Sequence, residues 1–246
     1  YSDKLVLAMS RAKPVSEREN PELHRIIENL AITAGLPKPR IYLINDPAPN
    51  AFATGRNKEH AAVAVTRGLL ERLDRTELEG VLAHELSHIG NRDMLISTIV
   101  VVLAGMVAIV SDMFLRMTFF GGLRSNDRDS RGNALVMALA LIGAILAPLA
   151  AMLIRLAVSR RREFLADASG VLLTRYPDGL ASALKKIAAD PRPMTHATNA
   201  TAHLFFENPF KADAGTGEKR TPWIVRLFMT HPPIEDRIRA LQRLER

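Results

Sequence analysis

The sequence contains no cysteine. That absence excludes disulfides and thiolate-held metals, and leaves imidazoles and carboxylates as the strong metal ligands available. Aromatic residues are scarce at 5%, with a single tryptophan, and no basic patch is interleaved with them. The formal charge of +7, from 33 Lys+Arg against 26 Asp+Glu, therefore does not read as a nucleic-acid surface, and no nucleic acid is expected among the partners. No signal peptide and no internal repeat are visible. The chain starts at Tyr1 without a methionine, as expected of a fragment of a longer protein.

Charge is missing altogether from two long stretches, residues 94–111 (MLISTIVVVLAGMVAIVS) and 133–154 (NALVMALALIGAILAPLAAMLI). A helix that crosses a bilayer needs about 20 apolar residues, so the second stretch is long enough and the first is marginal. Two such stretches in one chain point to an inserted transmembrane hairpin rather than to a buried soluble core. Gly105, Gly143 and Pro148 suit helices packed in lipid. Arg160-Arg161-Arg162, directly after the second run, reads as an anchor at the membrane surface, so a lipid bilayer is an expected partner. The connecting residues 112–132 carry arginines, aspartates and Gly121-Gly122, and are expected to form a polar loop.

The pentapeptide His84-Glu85-Leu86-Ser87-His88 carries the chemistry. On a helix the two histidines stand at i and i+4, on one face, where their imidazoles can share a tetrahedral Zn²⁺. Glu85 projects beside them, placed to take a proton from an attacking water. The helix itself is well marked. Asp74 and Glu77 form a D-x-x-E capping-box signal, Leu78, Val81, Leu82 and Leu86 recur at helical spacing, and Gly90-Asn91 is a plausible stop.

A hydrolytic zinc site needs a third protein ligand and one open position. Glu163 is the strongest candidate, and Asp167, one turn on, can accept the outer N–H of a zinc-binding imidazole. The alternative is that both are one solvated helix face beside three arginines. Topology favours the ligand. His88 precedes the first apolar stretch and Glu163 follows the second, so two spans return the chain to the side it left.

The remaining pattern is modest. Residues 1–15 read as a lead-in, and Asn20-Pro21 opens a helix that ends at Gly35-Leu36-Pro37. Residues 41–44 and 61–66 read as strands, and 50–55 as a further extended piece. A small sheet beside the zinc helix can bind substrate by strand addition, or it can be a structural meander. Helices are expected from about Arg160 to Thr174, from Pro177 to about Ala189, and after Pro232-Pro233, with 190–222 irregular. The expected fold class is α+β, mainly helical: a zincin-like protease domain with a small sheet, residues 1–93 and 155–246, interrupted at 94–154 by a two-helix transmembrane hairpin.

With these residues in place the chain resembles the HtpX family of membrane-bound zinc metalloproteases, in the gluzincin group. The resemblance rests on MSRAKP (9–14), ELHRIIENL (22–30), PNAFATG (49–55), EGVLAHELSHIGNRD (79–93), RREFLADASG (161–170), AHLFFENP (202–209) and THPPIEDRIR (230–239). It implies one Zn²⁺ per chain held by His84, His88 and Glu163, with Glu85 as general base and Asp167 supporting a ligand. It places Asn50, Ala51, Phe52, Ala53 and Thr54 along the substrate cleft. It also brings His231 and Arg237 toward the metal, His231 to steady the oxyanion. His196 and His203 have no ligand-like spacing. The family acts in quality control on misfolded or damaged membrane proteins, from a multi-pass position in the bacterial inner membrane with the catalytic domain cytoplasmic. Unfolded or membrane proteins are thus the expected substrates. Family members carry two further apolar helices before the segment that begins here, so a truncated or processed form is expected. Two rivals are a prenyl-protein protease of the CAAX type and a non-catalytic zinc-binding membrane scaffold.

Overall fold

The computed structural model describes residues 2–121, 130–195, 205–206 and 232–244. The chain divides into two compact units, Tyr1–Leu95 with Arg160–Arg246, and Ile96–Ser159.

The first unit is built on a four-stranded sheet of order β1-β2-β4-β3, with β1 at Lys13–Pro14, β2 at Arg40–Ile44, β3 at Ala51–Thr54 and β4 at Ala62–Thr66. β2 and β4 run parallel, whereas β1 and β3 pair antiparallel with their neighbours. β4 is buried along its whole length and alternates between two apolar clusters, as the two-residue period of a strand requires. Val63 and Val65 face α2 (Pro21–Thr33), α4 (Arg75–Gly90) and α7 (Pro177–Ala189). Ala62 and Ala64 face the opposite side, with Leu7 of α1 (Ser2–Met9), Phe52, Met194 and Phe205. The expected lead-in is thus a helix and a strand. Its continuous apolar run, residues 5–9, is shorter than two helical turns, and α1 is anchored in the core by Leu7 with Val6 packed against the same cluster.

Local signals set the helix starts. Asn20 accepts a hydrogen bond from Leu23 N (3.0 Å) at the head of α2, and Pro21 follows at the first helical position. After β4, α3 (Arg67–Arg72) leads directly to α4, where Asp74 and Glu77 form the reciprocal capping box. Glu77 is buried and also accepts from Ser182 Oγ (2.5 Å) and Lys186 Nζ (2.6 Å) on α7. Gly80 and Gly179 let the two helices approach to backbone contact. α4 is buried on nearly every side and forms the centre of this unit.

The second unit contains most of α5 (Asp93–Gly121) and the first two thirds of α6 (Ser130–Thr174). α5 continues past the charge-free stretch, because Asp112 and Arg116 form an i,i+4 ion pair of 2.7 Å that favours helix. The loop expected at 112–132 is therefore shorter, and residues 122–129 lie outside the described residues. α6 contains Pro148 and is unbroken to Thr174, where a separate helix from Arg160 was expected. Pro148 removes one backbone donor, but breaking the helix in an apolar medium would leave several more N–H and C=O groups unpaired, so the helix continues. Asp93–Arg116 and Leu141–Thr174 are both long and apolar enough to cross a membrane, and only 6% and 11% of their apolar windows are buried within the protein. Ile109, Val110, Ile145 and Ile154 are each more than half exposed, which suits lipid and not water.

The capping region separates two stability terms. Asp74→Ala removes one cap and is expected to cost about 1 kcal/mol. Glu77→Ala breaks the cap and two buried bonds to a charged group, and is expected to cost about 3 kcal/mol. Thermal or denaturant unfolding of the detergent-solubilised chain checks the order, and equal losses would contradict it.

Candidate metal centre

The register of α4 brings His84 and His88 to one side of a buried helix, with Glu85 between them. α6 presents Glu163, Asp167 and Gly170 at i, i+4 and i+7, a single stripe facing α4. Gly170 sets the distance between the helices. A Cβ there would lie 3.0 Å from the backbone nitrogen of His84, so the two backbones touch at the first histidine.

The ligand atoms converge. His84 Nε2 and His88 Nε2 are 3.0 Å apart, and they lie 3.8 Å and 3.5 Å from the two oxygens of Glu163. Atoms bound tetrahedrally to one Zn²⁺ at about 2.0–2.1 Å stand roughly 3.3 Å from one another. The three side chains therefore fit one small divalent ion, and all their ligand atoms lie within 4.8 Å.

The far nitrogens of both rings are held by carboxylates. His84 Nδ1 lies 2.8 Å from Asp167 Oδ1, and His88 Nδ1 lies 2.7 Å from Asp93 Oδ2. A carboxylate can only accept, so each Nδ1 carries its proton and each Nε2 turns a lone pair inward. Two lone pairs so close are mutually repulsive until a cation or proton stands between them. Burial pushes His84 down to about 4, against the opposing pull of Asp167, so the ring is neutral and ready to ligate at neutral pH.

Asp167 is fixed in turn by Arg237, on α8 (Ile234–Arg243), through bonds of 2.6 Å and 2.8 Å to its two oxygens. Burial would raise the Asp167 carboxyl, but the charge and hydrogen bonds of Arg237, with those of His84, outweigh it and hold the group below the ordinary range. Arg237 is itself buried, lies 3.6 Å from Glu163, and stacks over the ring of Phe206 at 4.8 Å. Phe206 meets His84 edge-on at 5.0 Å. Asp93 is paired with Arg162 of α6, which also donates to Asn91 O at 2.8 Å.

Glu85 is buried, and burial raises its carboxyl to about 7, with the Ala53 backbone N–H pulling it partly back. That contact places the carboxylate at the edge of β3 that faces away from β4. Along β3 the other expected cleft residues make contacts within the protein. Asn50 bonds to the Ala51 N–H (3.0 Å), Phe52 is buried in the core against Phe205 (5.1 Å), and Ala51 O accepts from Phe206 N (2.8 Å). Thr54 is also buried. Of the strip Asn50–Thr54, Ala53 is brought to Glu85. His196, His203 and His231 lie outside the described residues.

Three residues of this site escaped the sequence reading. Asp93 reaches back to His88 because Arg92 adopts a left-handed turn (φ 56°) between α4 and α5. Nothing in an Arg-Asp dipeptide announces that turn. Arg162 and Phe206 appear in motifs, but only packing shows what they touch.

A family model described as Peptidase family M48 matches residues 17–245. Proteins named Protease HtpX homolog are similar over nearly all of the chain. That of Tropheryma whipplei (strain TW08/27) is 48% identical, covering 99% of this chain and 79% of its own length. That of Syntrophobacter fumaroxidans is 50% identical (98% and 83% covered), and that of Pyrococcus furiosus 50% identical (99% and 80%). Among solved structures, Ste24p of S. mikatae is similar with a TM-score of 0.61 at 20% identity. It matches 98% of this chain, which spans 56% of Ste24p, and the likeness speaks to fold.

If the carboxylates orient the rings, Asp93→Asn and Asp167→Asn should each weaken divalent-ion binding by about 10–100-fold. Gly170→Ala, which forces α6 off His84, should weaken it as well. Titration with Zn²⁺ against a competing chelator measures all three. Unchanged affinity in both asparagine variants would rule out the orienting role.

Proposed function

The chain belongs to peptidase family M48 as an HtpX-family metalloprotease, and on that premise we propose that it holds one Zn²⁺ and hydrolyses peptide bonds of misfolded or damaged membrane proteins. It is a membrane metalloprotease, and its expected mainly helical, zincin-like fold is the one observed. The finer reading is a multi-pass protein of a bacterial inner membrane with the catalytic unit on the cytoplasmic side. One observation carries the zinc assignment: two inward-turned imidazoles and a carboxylate meet at tetrahedral spacing, beside a buried glutamate that is not needed to hold the ion.

When bound, Zn²⁺ supplies Lewis acidity that lowers the pKa of water toward about 7 and polarises a carbonyl. The protein's residues do the rest. Glu85, its carboxyl near 7, takes the proton of the attacking water and delivers it to the departing amine. Ala53 sits where an extended peptide would pair with β3 and bring its reacting bond to Glu85. Asp167 and Arg237 keep His84 from turning, and Asp93 does the same for His88. His231 is proposed to donate to the oxygen of the reacting carbonyl.

Membrane substrates are favoured by connectivity. α5 begins a few residues after His88, and α6 contains both the second apolar run and Glu163. The intact Glu85 favours an enzyme over a scaffold, since ion binding alone does not require it.

Glu85→Gln should retain one Zn²⁺ per chain and lose cleavage of an unfolded protein by about 10²–10⁴-fold. Chelation should abolish wild-type cleavage and Zn²⁺ should restore it. A glutamine variant that cleaves at the wild-type rate would refute the assignment of the base. Preference for a farnesylated peptide over an unfolded membrane protein would refute the substrate class.

A further inference from the structure

β3 is one of the two edge strands of the sheet, and its backbone groups alternate between the β4 side and the outer side. Thr66 N donates to Asn50 O, so Asn50, Phe52 and Thr54 face β4. The backbone groups of Ala51 and Ala53 point the other way, away from β4. At Ala51 both outward groups are taken by the chain itself: its carbonyl accepts from Phe206 N at 2.8 Å, and its N–H donates to Asn50 Oδ1 at 3.0 Å. At Ala53 the outward N–H donates to Glu85, and the outward carbonyl is the group a substrate N–H would meet.

Residues 205–206 sit on this edge as a strand would. Successive side chains of a strand point to opposite faces of a sheet. Phe205 packs with Phe52 in the cluster on one face, and Phe206 joins the helices on the other. Both rings are buried. Lifting the segment would expose two phenylalanines and unstack Arg237 from Phe206, so it is not a loosely held flap.

We propose that Phe205-Phe206 is a built-in strand that occupies the Ala51 half of the β3 edge, so that a substrate peptide pairs only with the Ala53 half. Phe206 is then a specificity-determining residue that limits how far the substrate can extend on one side of the reacting bond. The ladder available to substrate is closed about two residues from Ala53 in that direction, one strand repeat, whereas in the other β3 continues to Thr54 with no such contact among the described residues. This rests on the peptidase reading of the site and on strand addition at β3, and it adds the asymmetry of the cleft.

The test uses the full chain in detergent, loaded with Zn²⁺, and a nested set of peptides around one cleaved bond, shortened residue by residue from each end. In the wild type, shortening from one end should lower kcat/KM at least tenfold over several residues. Shortening from the other should change it less than threefold until about the second residue from the bond. In Phe206→Ala the flat end should become length-dependent. Phe206→Leu, which keeps an apolar anchor, should preserve the wild-type asymmetry. Zinc content, read by elemental analysis, reports whether each variant keeps its site. If Phe206→Ala loses zinc, the wild-type and leucine profiles decide. Equal dependence on both ends in the wild type overturns the proposal. So does a uniform fall for all peptides in a zinc-loaded Phe206→Ala. If no peptide is cleaved in a metal-dependent way, the peptidase reading itself fails, and this inference falls with it.

Discussion

The arrangement depends on a buried imidazole that cannot turn. His84 is enclosed on all sides, its outer nitrogen is tied to Asp167, and Asp167 is clamped through both its oxygens by Nε and Nη2 of a buried arginine from another helix. Each member needs the next. A buried arginine without its carboxylate would cost several kcal/mol, and a buried carboxylate without its arginine would take up a proton. The ring is thereby held in one tautomer with its lone pair aimed at His88 and Glu163. α4, α6 and α8 meet here, so the same contacts that join these helices also shape the ligand set.

The site combines opposite electrostatic demands within a few ångströms. Burial lowers His84, which favours the neutral ligand, and raises Glu85, which favours a proton acceptor matched to neutral pH. One environment thus sets two groups to different tasks. The sheet contributes little chemistry of its own. Its role is to bring a strand edge to the carboxylate of Glu85, and the chain covers the rest of that edge with Phe205 and Phe206.

Much of this was legible in the sequence where a signal is local. The Asp74–Glu77 box fixed the start of α4, helical spacing placed His84 and His88 together, and Asn20-Pro21 marked α2. The Glu163–Asp167 pair showed itself by its i,i+4 spacing and by the topology of two apolar runs. Hidden features depended on contacts distant in sequence or on backbone turns with no residue signature. Asp93 reaches His88 only through a left-handed arginine, and Phe206 meets Ala51 across a separation that no periodicity encodes. The continuity of α6 from its apolar run into Arg160–Thr174 was hidden for another reason: the change from an uncharged stretch to three arginines reads as a boundary between elements, although residues 155–162 contain no helix breaker.

The central claim is that one ion is shared by two imidazoles and one carboxylate. X-ray absorption at the zinc edge of the purified, Zn²⁺-loaded chain tests it most directly. The account predicts a first shell of nitrogen and oxygen at about 2.0–2.1 Å with outer-shell scattering from two imidazoles. A shell of three or more imidazoles, or one with none, would contradict it.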